Sequence, residues 1–134
     1  MDGGEDGSDL GVASASLAES GGGAGGDHLR RIVIRVITPG RPAFQLQKGE
    51  AGLSVFDLTG VSPPLTDPEI LRSFRPGSIT VARTIGEIES AGLSVVATPG
   101  DPRLPVRLQQ AHAEIVPGAG MTRGQFKTAL KGLE

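Results

Sequence analysis

The chain has 134 residues, including 21 Gly and 10 Pro, but it has no Cys, Trp or Tyr and only 4 Phe. Without cysteine it has no disulfide, no cysteine nucleophile and no cysteine-ligated zinc site. No apolar run reaches the roughly 18 residues of a membrane helix, and the acidic start is unlike a signal peptide. These features predict a small protein without a membrane span that is cytoplasmic where it is made.

Charge is distributed unevenly along the chain. Residues 1–28 carry six acidic side chains, nine Gly and no Lys or Arg, whereas residues 29–134 carry all 13 basic side chains and nine acidic ones. A segment so poor in apolar residues buries too little surface to offset the entropy of ordering it. We therefore predict a disordered acidic tail over 1–28, followed by one α+β domain over 29–134. Scattered basic residues and scarce aromatic rings argue against nucleic-acid binding.

The domain begins with the β-branched run 32–37, which predicts a strand. Alternation places Arg35 on the same face as Val33 and Ile37. An arginine inside an apolar strand has two interpretations. It either pairs with a carboxylate or extends from an edge as a structural residue, or it grips a phosphate or carboxylate of a ligand.

Two further strands are predicted before residue 60. Residues 44–47 alternate and predict a short strand, and residues 53–57 predict a longer one with Ser54 and Phe56 on one face. A strand serine usually bonds to nearby backbone, and a strand phenylalanine usually belongs to the core. Phe56 is also a candidate wall for an aromatic ligand, because rings are rare in this chain.

Residues 66–97 predict helix, strand, helix and strand in turn, over 66–74, 78–83, 84–91 and 93–97. A capping residue, Thr66 or Asp67, precedes the first helix, and Gly92 follows the second as a left-handed stop. Ile79 and Val81 are expected to face inward. Each of these elements is short, as expected for a small mixed domain.

The segment 106–116 is ambiguous between strand and helix. As a strand it places Gln110, His112 and Glu114 in one polar line, suited to acid–base chemistry or to orienting a ligand. As a helix it points His112 and Glu114 far apart, and the line is lost. His112 is the only histidine expected inside the domain, so no metal site is predicted.

The chain ends in a predicted helix over 123–132, with a capping box between Thr122 and Gln125. The loop over 101–105 is Pro-rich and is expected to be irregular. Together these elements predict an α+β domain of five or six short strands and three short helices.

Two segments resemble a family of small cytotoxic effectors of type VI secretion systems. The sequence GLSVFD at 52–57 resembles that family's G-T-S-V-F-D strand, and RLQQAHAEIVP at 107–117 resembles its R-L-Q-A-T-H-Y-T-I-M-P segment. Arg35 falls where the family's first strand carries an arginine, and a helix led by Met121 follows the second motif, as in the family. Order and spacing agree across residues 31–133.

The resemblance implies a compact ADP-ribosyltransferase-like fold of two small β-sheets with short flanking helices, and NAD as a substrate. Arg35 would hold NAD, Ser54 would contribute to the nicotinamide site, and His112 matches the family's histidine. Phe56 is the candidate stacking wall. Glu114 stands where the family has Thr, so its catalytic role, stabilising positive charge on the ribose, is a physical argument alone.

The resemblance also implies a biological setting, and two alternative functions remain. An NAD-dependent ADP-ribosyltransferase toxin would be delivered into target cells, would modify an unknown macromolecule and would have a neutralising immunity protein. The family's tyrosines are replaced here by Ile34 and Ala113, which favours the alternative of a non-catalytic interaction module on a similar fold. A third alternative, a hydrolase on an unrelated fold, has no sequence signature of a nucleophile beside a base.

Overall fold

The structure, a computed structural model, describes residues 24–134. Residues 32–134 form one unit, and helix α1, Ala24–Arg30, belongs to another. Of the segment predicted to lack a fold, residues 1–23 lie outside the described part of the chain and residues 24–28 belong to α1.

Residues 32–134 form an α+β unit, in agreement with the predicted fold class. Its strands are β1 Ile32–Ile37, β2 Leu53–Asp57, β3 Ile79–Thr84, β4 Ser94–Ala97 and β5 His112–Val116. Its helices are α2 Asp67–Leu71, α3 Ile85–Ser90, α4 Val106–Ala111 and α5 Arg123–Lys131. The strands pair antiparallel in the order β3–β1–β2–β5–β4.

These strands form one sheet, not the two small sheets that were expected. The sheet is nevertheless uneven, because β1 pairs with β3 over its whole length, whereas it pairs with β2 at only two positions. Those positions are Val33 opposite Asp57 and Ile34 opposite Phe56. Beyond Ile34 the two strands separate. The joint between β1 and β2 is therefore the weakest line of backbone pairing in the sheet.

Two helices begin at caps that the sequence predicted, Thr66 for α2 and Thr122 for α5, and α3 begins at a cap that was not predicted. The Thr66 hydroxyl accepts a hydrogen bond from the Glu69 amide at the start of α2. Complete capping boxes start α3, at Thr84, and α5, at Thr122. Gly92 follows α3 with a φ of +85°, a left-handed conformation that glycine adopts without steric cost. Local hydrogen bonding thus fixes these three helix starts.

Apolar side chains pack on both faces of the sheet. On one face, α3 and α5 cover the strands with residues that include Ile88, Phe126 and Leu130. On the other face, α2 and α4 contribute Ile70 and Leu108 to a smaller cluster. Strand alternation explains the division, because neighbouring residues of one strand point to opposite faces. We call these the α5 face and the α2 face.

The segment 44–47 is not a strand, contrary to the sequence prediction. The carboxylate of Glu134 accepts hydrogen bonds from the amides of Ala43 and Phe44 at 2.9 and 2.6 Å, and the Arg35 side chain donates to the Ala43 carbonyl. Backbone groups here are satisfied by side chains, so a strand partner is not needed. Ile79 is also exposed, contrary to prediction, because β3 is an edge strand; Val81 is half-buried.

The ambiguous segment 106–116 contains both kinds of structure. Residues Val106–Ala111 form helix α4, and the chain then becomes extended as β5. His112 and Glu114 therefore share a strand face, whereas Gln110 belongs to the helix and drops out of the predicted polar line. With α1 and α4, the described residues contain five helices, two more than expected.

Candidate functional site

The separation of β1 and β2 opens a cleft of about 350 Å³ on the α2 face of the sheet. Four of the residues predicted for the site line this cleft, namely Arg35, Ser54, Phe56 and His112. They come from β1, β2 and β5, which are adjacent in the sheet. The cleft therefore gathers side chains that are up to 77 residues apart in sequence.

Arg35 reaches the cleft in a way that alternation does not predict. By alternation it points to the α5 face, opposite to Ser54, Phe56 and His112. Its Nη1 nevertheless donates to the Ser54 carbonyl at 3.1 Å, and its Nε donates to the Ala43 carbonyl at 2.8 Å. The guanidinium thus occupies the gap between the separated strands and becomes part of the cleft wall.

The charge of Arg35 is not neutralised by a close carboxylate. Within residues 24–134 it makes no ion pair, and Glu50 and Glu134 act on it only through longer-range attraction. Burial lowers the pKa of the Arg35 guanidinium, and those two negative charges oppose the shift. A partly buried guanidinium without a carboxylate partner favours an anionic ligand.

Aromatic rings form the floor of the cleft. Phe56 meets Phe74 edge-to-face with ring centres 5.9 Å apart, and it meets the His112 ring in the same manner at 5.6 Å. Phe56 is buried, while Phe74 and His112 are half-buried. These edge-to-face contacts hold the three rings in fixed orientations. A flat ring of a ligand would find apolar surface here.

The His112 ring is oriented by one residue. Its Nδ1 lies 3.0 Å from the carbonyl oxygen of Thr98 and 2.9 Å from the hydroxyl of the same residue. A carbonyl oxygen only accepts, so Nδ1 carries the proton that it donates to Thr98. Within the described residues Nε2 has no hydrogen-bond partner, and in the neutral ring it is an acceptor.

Ser54 and Glu114 face each other across the β2–β5 ladder but differ in their relation to the cleft. Ser54 is exposed and lines the cleft, whereas Glu114 is half-buried and does not. The Glu114 carboxylate extends toward Gly52, where a β-carbon would lie 3.1 Å from its Oε1. The structure thus brings four of the five predicted site residues together in the cleft, whereas Glu114 does not line it.

Six further residues line the cleft, and none of them belongs to the five predicted site residues: Val36, Ser73, Phe74, Asp101, Arg103 and Leu104. Val36 belongs to β1, Ser73 and Phe74 follow α2, and the other three lie in the loop between β4 and α4. That loop has no hydrophobic period, so its pattern predicted no role for it. The available signal was the Asp-Pro-Arg sequence in a Pro-rich loop, because loops carry binding residues disproportionately.

Asp101 and Arg103 form a close ion pair at the cleft. Asp101 Oδ2 accepts from Nη2 at 2.8 Å, and Oδ1 accepts from Nε and from the backbone amide of Arg103, each at 3.0 Å. These hydrogen bonds to Arg103 lower the pKa of Asp101 to about 2. The carboxylate is therefore ionised at neutral pH and already hydrogen-bonded to Arg103.

Within residues 24–134, no group of three or more metal-ligating side chains comes together. No helix in this part of the chain is long and apolar enough to cross a membrane. The cleft between β1 and β2 is thus the place where the predicted residues meet.

Comparisons with known proteins give no further information on this cleft. No family model matches the chain, and no match was found among curated proteins or among solved structures. Interpretation of the cleft therefore depends on its side chains and on the two short motifs at 52–57 and 107–117.

Proposed function

We propose that the cleft binds NAD and that the domain transfers ADP-ribose from it, as an enzyme of the ADP-ribosyltransferase type. The observation that carries this proposal is the convergence of Arg35, Ser54, Phe56 and His112 on one cleft. The motif resemblance points to Arg35, Ser54 and His112, and the scarcity of aromatic rings in the chain points to Phe56. Four residues placed at random on the two faces of a sheet would not be expected to line the same cleft.

The dimensions and chemistry of the cleft support a dinucleotide. A second groove of about 350 Å³ meets the first at Arg35 and is lined further by Arg41, Gln45 and Gln47. A dinucleotide has two halves joined by an anionic pyrophosphate. Arg35, which lines both grooves, is suited to hold that pyrophosphate while each half occupies one groove.

Each cleft residue has a role that its contacts support. Arg35 pairs with the pyrophosphate, and Phe56 with Phe74 offers apolar surface to the nicotinamide ring. The Ser54 hydroxyl is free to bond the carboxamide, and His112 Nε2 accepts a hydrogen bond from a ribose hydroxyl. In the reaction the bond between ribose and nicotinamide breaks and its electron pair leaves on nicotinamide. An acceptor nucleophile then bonds to the ribose carbon and releases its proton to the solvent.

A second candidate function is NAD binding without transfer. The transition state of the reaction develops positive charge on the ribose, which a carboxylate stabilises. The only carboxylate that lines the cleft within the described residues is Asp101, and it is engaged by Arg103. Glu114, proposed from the sequence for this role, lies beside the cleft. This arrangement favours NAD binding without transfer, which differs from the protein-interaction module that the sequence left open because that module needs no NAD.

Calorimetric titration of NAD into the purified full chain tests the proposal. We expect binding on the order of micromolar to low millimolar, weakened about tenfold or more in Arg35→Lys because the fork is lost. Arg35→Lys is preferred to Arg35→Ala, since alanine also leaves the carbonyls of Ala43 and Ser54 unpaired. Arg75→Lys is the matched control, because Arg75 is exposed and lines neither groove.

Release of nicotinamide, measured by chromatography in the presence of cell lysate, separates the two candidates. Binding with release supports the transferase, and its toxin setting with a neutralising partner protein would then be pursued. Binding without release supports NAD binding without transfer. Absence of NAD binding by a folded protein would overturn both and favour the protein-interaction module that the sequence left open.

A further inference from the structure

The loop that follows β4 presents a second arginine to the cleft. Asp101 and Arg103 both line the cleft wall, together with Leu104. None of these residues was assigned a role by the sequence motifs. The same cleft thus contains two guanidinium groups, Arg35 and Arg103, that reach it from different elements.

Asp101 orients the Arg103 side chain but does not occupy all of its hydrogen-bond donors. Its side chain is 85% exposed, whereas that of Asp101 is 23% exposed. Asp101 binds the Nε and Nη2 edge, and Nη1 has no hydrogen-bond partner within the described residues. A guanidinium fixed along one edge presents its remaining donors in a defined direction.

The loop itself is anchored at its far end. The Gln109 side chain donates to the Leu104 carbonyl at 2.7 Å, and Leu104 packs against the apolar cluster of the α2 face. An exposed ion pair contributes little to stability on its own. The consequence of the Asp101–Arg103 pair is therefore mainly positional: it sets the guanidinium at the cleft mouth.

We propose that Arg103 is a second anion-binding residue of the cleft, and that the ligand carries two adjacent anionic groups, one held by Arg35 and the other by Arg103. Asp101 is the positioning residue for Arg103. This inference rests on the proposed function in naming the pyrophosphate of a dinucleotide as that pair of anionic groups. Its chemistry, two guanidiniums on a diphosphate, applies equally to a ligand other than NAD.

Arg103→Gln is the test variant, because it removes the charge from an exposed side chain and should fold normally. Three probes are titrated into the full chain: NAD, inorganic pyrophosphate, and nicotinamide riboside, which has no phosphate. We expect Arg103→Gln to weaken NAD and pyrophosphate about tenfold and to leave nicotinamide riboside unchanged. Arg75→Gln, the matched control at an exposed arginine that lines neither groove, should alter none of them.

The outcomes separate this inference from the proposed function. If NAD binds through Arg35 but Arg103→Gln binds it as tightly as the parent chain, the inference is overturned and the proposed function stands. If NAD does not bind but pyrophosphate does, and Arg103→Gln loses it, the inference stands and the proposed function falls. If neither probe binds, both are overturned.

Discussion

Asp101 is the side chain of the cleft whose ionisation is most clearly set by its neighbour. Its pKa of about 2 lies below its usual value of 3.8, because the bonds from Arg103 favour the charged form. A carboxyl whose pKa is lower in the folded state contributes stability above its unfolded pKa. That contribution is present above about pH 4 and is lost as the pH falls toward 2.

We expect Arg103→Gln to raise the pKa of Asp101 toward its usual value, because the ion pair is removed. An NMR titration that follows the carboxyl carbon of Asp101 measures the midpoint directly. Lys127→Ala should leave the midpoint where it is in the parent chain. A low midpoint that persists in Arg103→Gln would contradict the ion pair as its cause.

At the scale of elements, a close approach of two loops fixes how α5 follows β5. A β-carbon at Gly118 would overlap the carbonyl oxygen of Gly92, the residue that ends α3. Both partners in this contact are backbone, so neither moves without shifting its loop. Gly118 is thus required by close packing, while Gly92 is required by its left-handed conformation.

We expect Gly118→Ala to destabilise the protein by about 2 kcal/mol or more, as overpacking does. Gly124→Ala is the matched control, because a β-carbon in α5 meets only the Thr122 hydroxyl, at 3.9 Å. That change should stabilise the protein by about 0.5–1 kcal/mol, since alanine favours helix. Urea unfolding monitored by circular dichroism measures both. Equal effects of the two substitutions would contradict the close approach.

At the scale of the whole unit, the two faces of the sheet differ in how much apolar surface they bury and in whether they carry the cleft. The α5 face holds the larger apolar cluster and includes fully buried residues such as Leu130. The α2 face holds the smaller cluster and the cleft, where Phe74 is only half-buried. Stability should therefore depend mainly on one face, and ligand binding on the other.

We expect Leu130→Ala to cost about 2–5 kcal/mol of unfolding free energy yet to leave the dissociation constant for NAD unchanged at temperatures where it remains folded. Phe74→Ala should do the reverse, weakening NAD binding several-fold with a smaller loss of stability. Thermal unfolding and calorimetric titration of the same samples measure both quantities. A loss of affinity in folded Leu130→Ala would contradict the separation of the faces.

Local pattern was enough to locate most elements of residues 32–134. The run of β-branched residues identified β1, and the Thr122–Gln125 capping box located the start of α5, because each depends on residues within one turn or one strand. The prediction of a strand over 44–47 failed for a non-local reason, because the amides of Ala43 and Phe44 bond to Glu134, about 90 residues away. No neighbour in sequence reveals such a partner.

The site was predicted in its residue types but not in its construction. The sequence pointed to Arg35, Ser54, Phe56 and His112, and strand pairing then determined that these meet. Asp101 and Arg103 had no pattern to reveal them, because loop residues follow no period. His112 likewise lies in a strand because residues 112–115 pair with β2, a partner that is distant in sequence.

The sequence by itself determined the α+β composition, the principal strands and the helix starts, since these follow from contacts a few residues apart. Only the tertiary structure decided that Arg35 enters the cleft. Alternation points it to the α5 face, and it reaches the gap because β1 and β2 part after two pairs and leave the Ser54 carbonyl as its partner. Where two strands separate depends on the packing of the whole sheet, which no local pattern encodes.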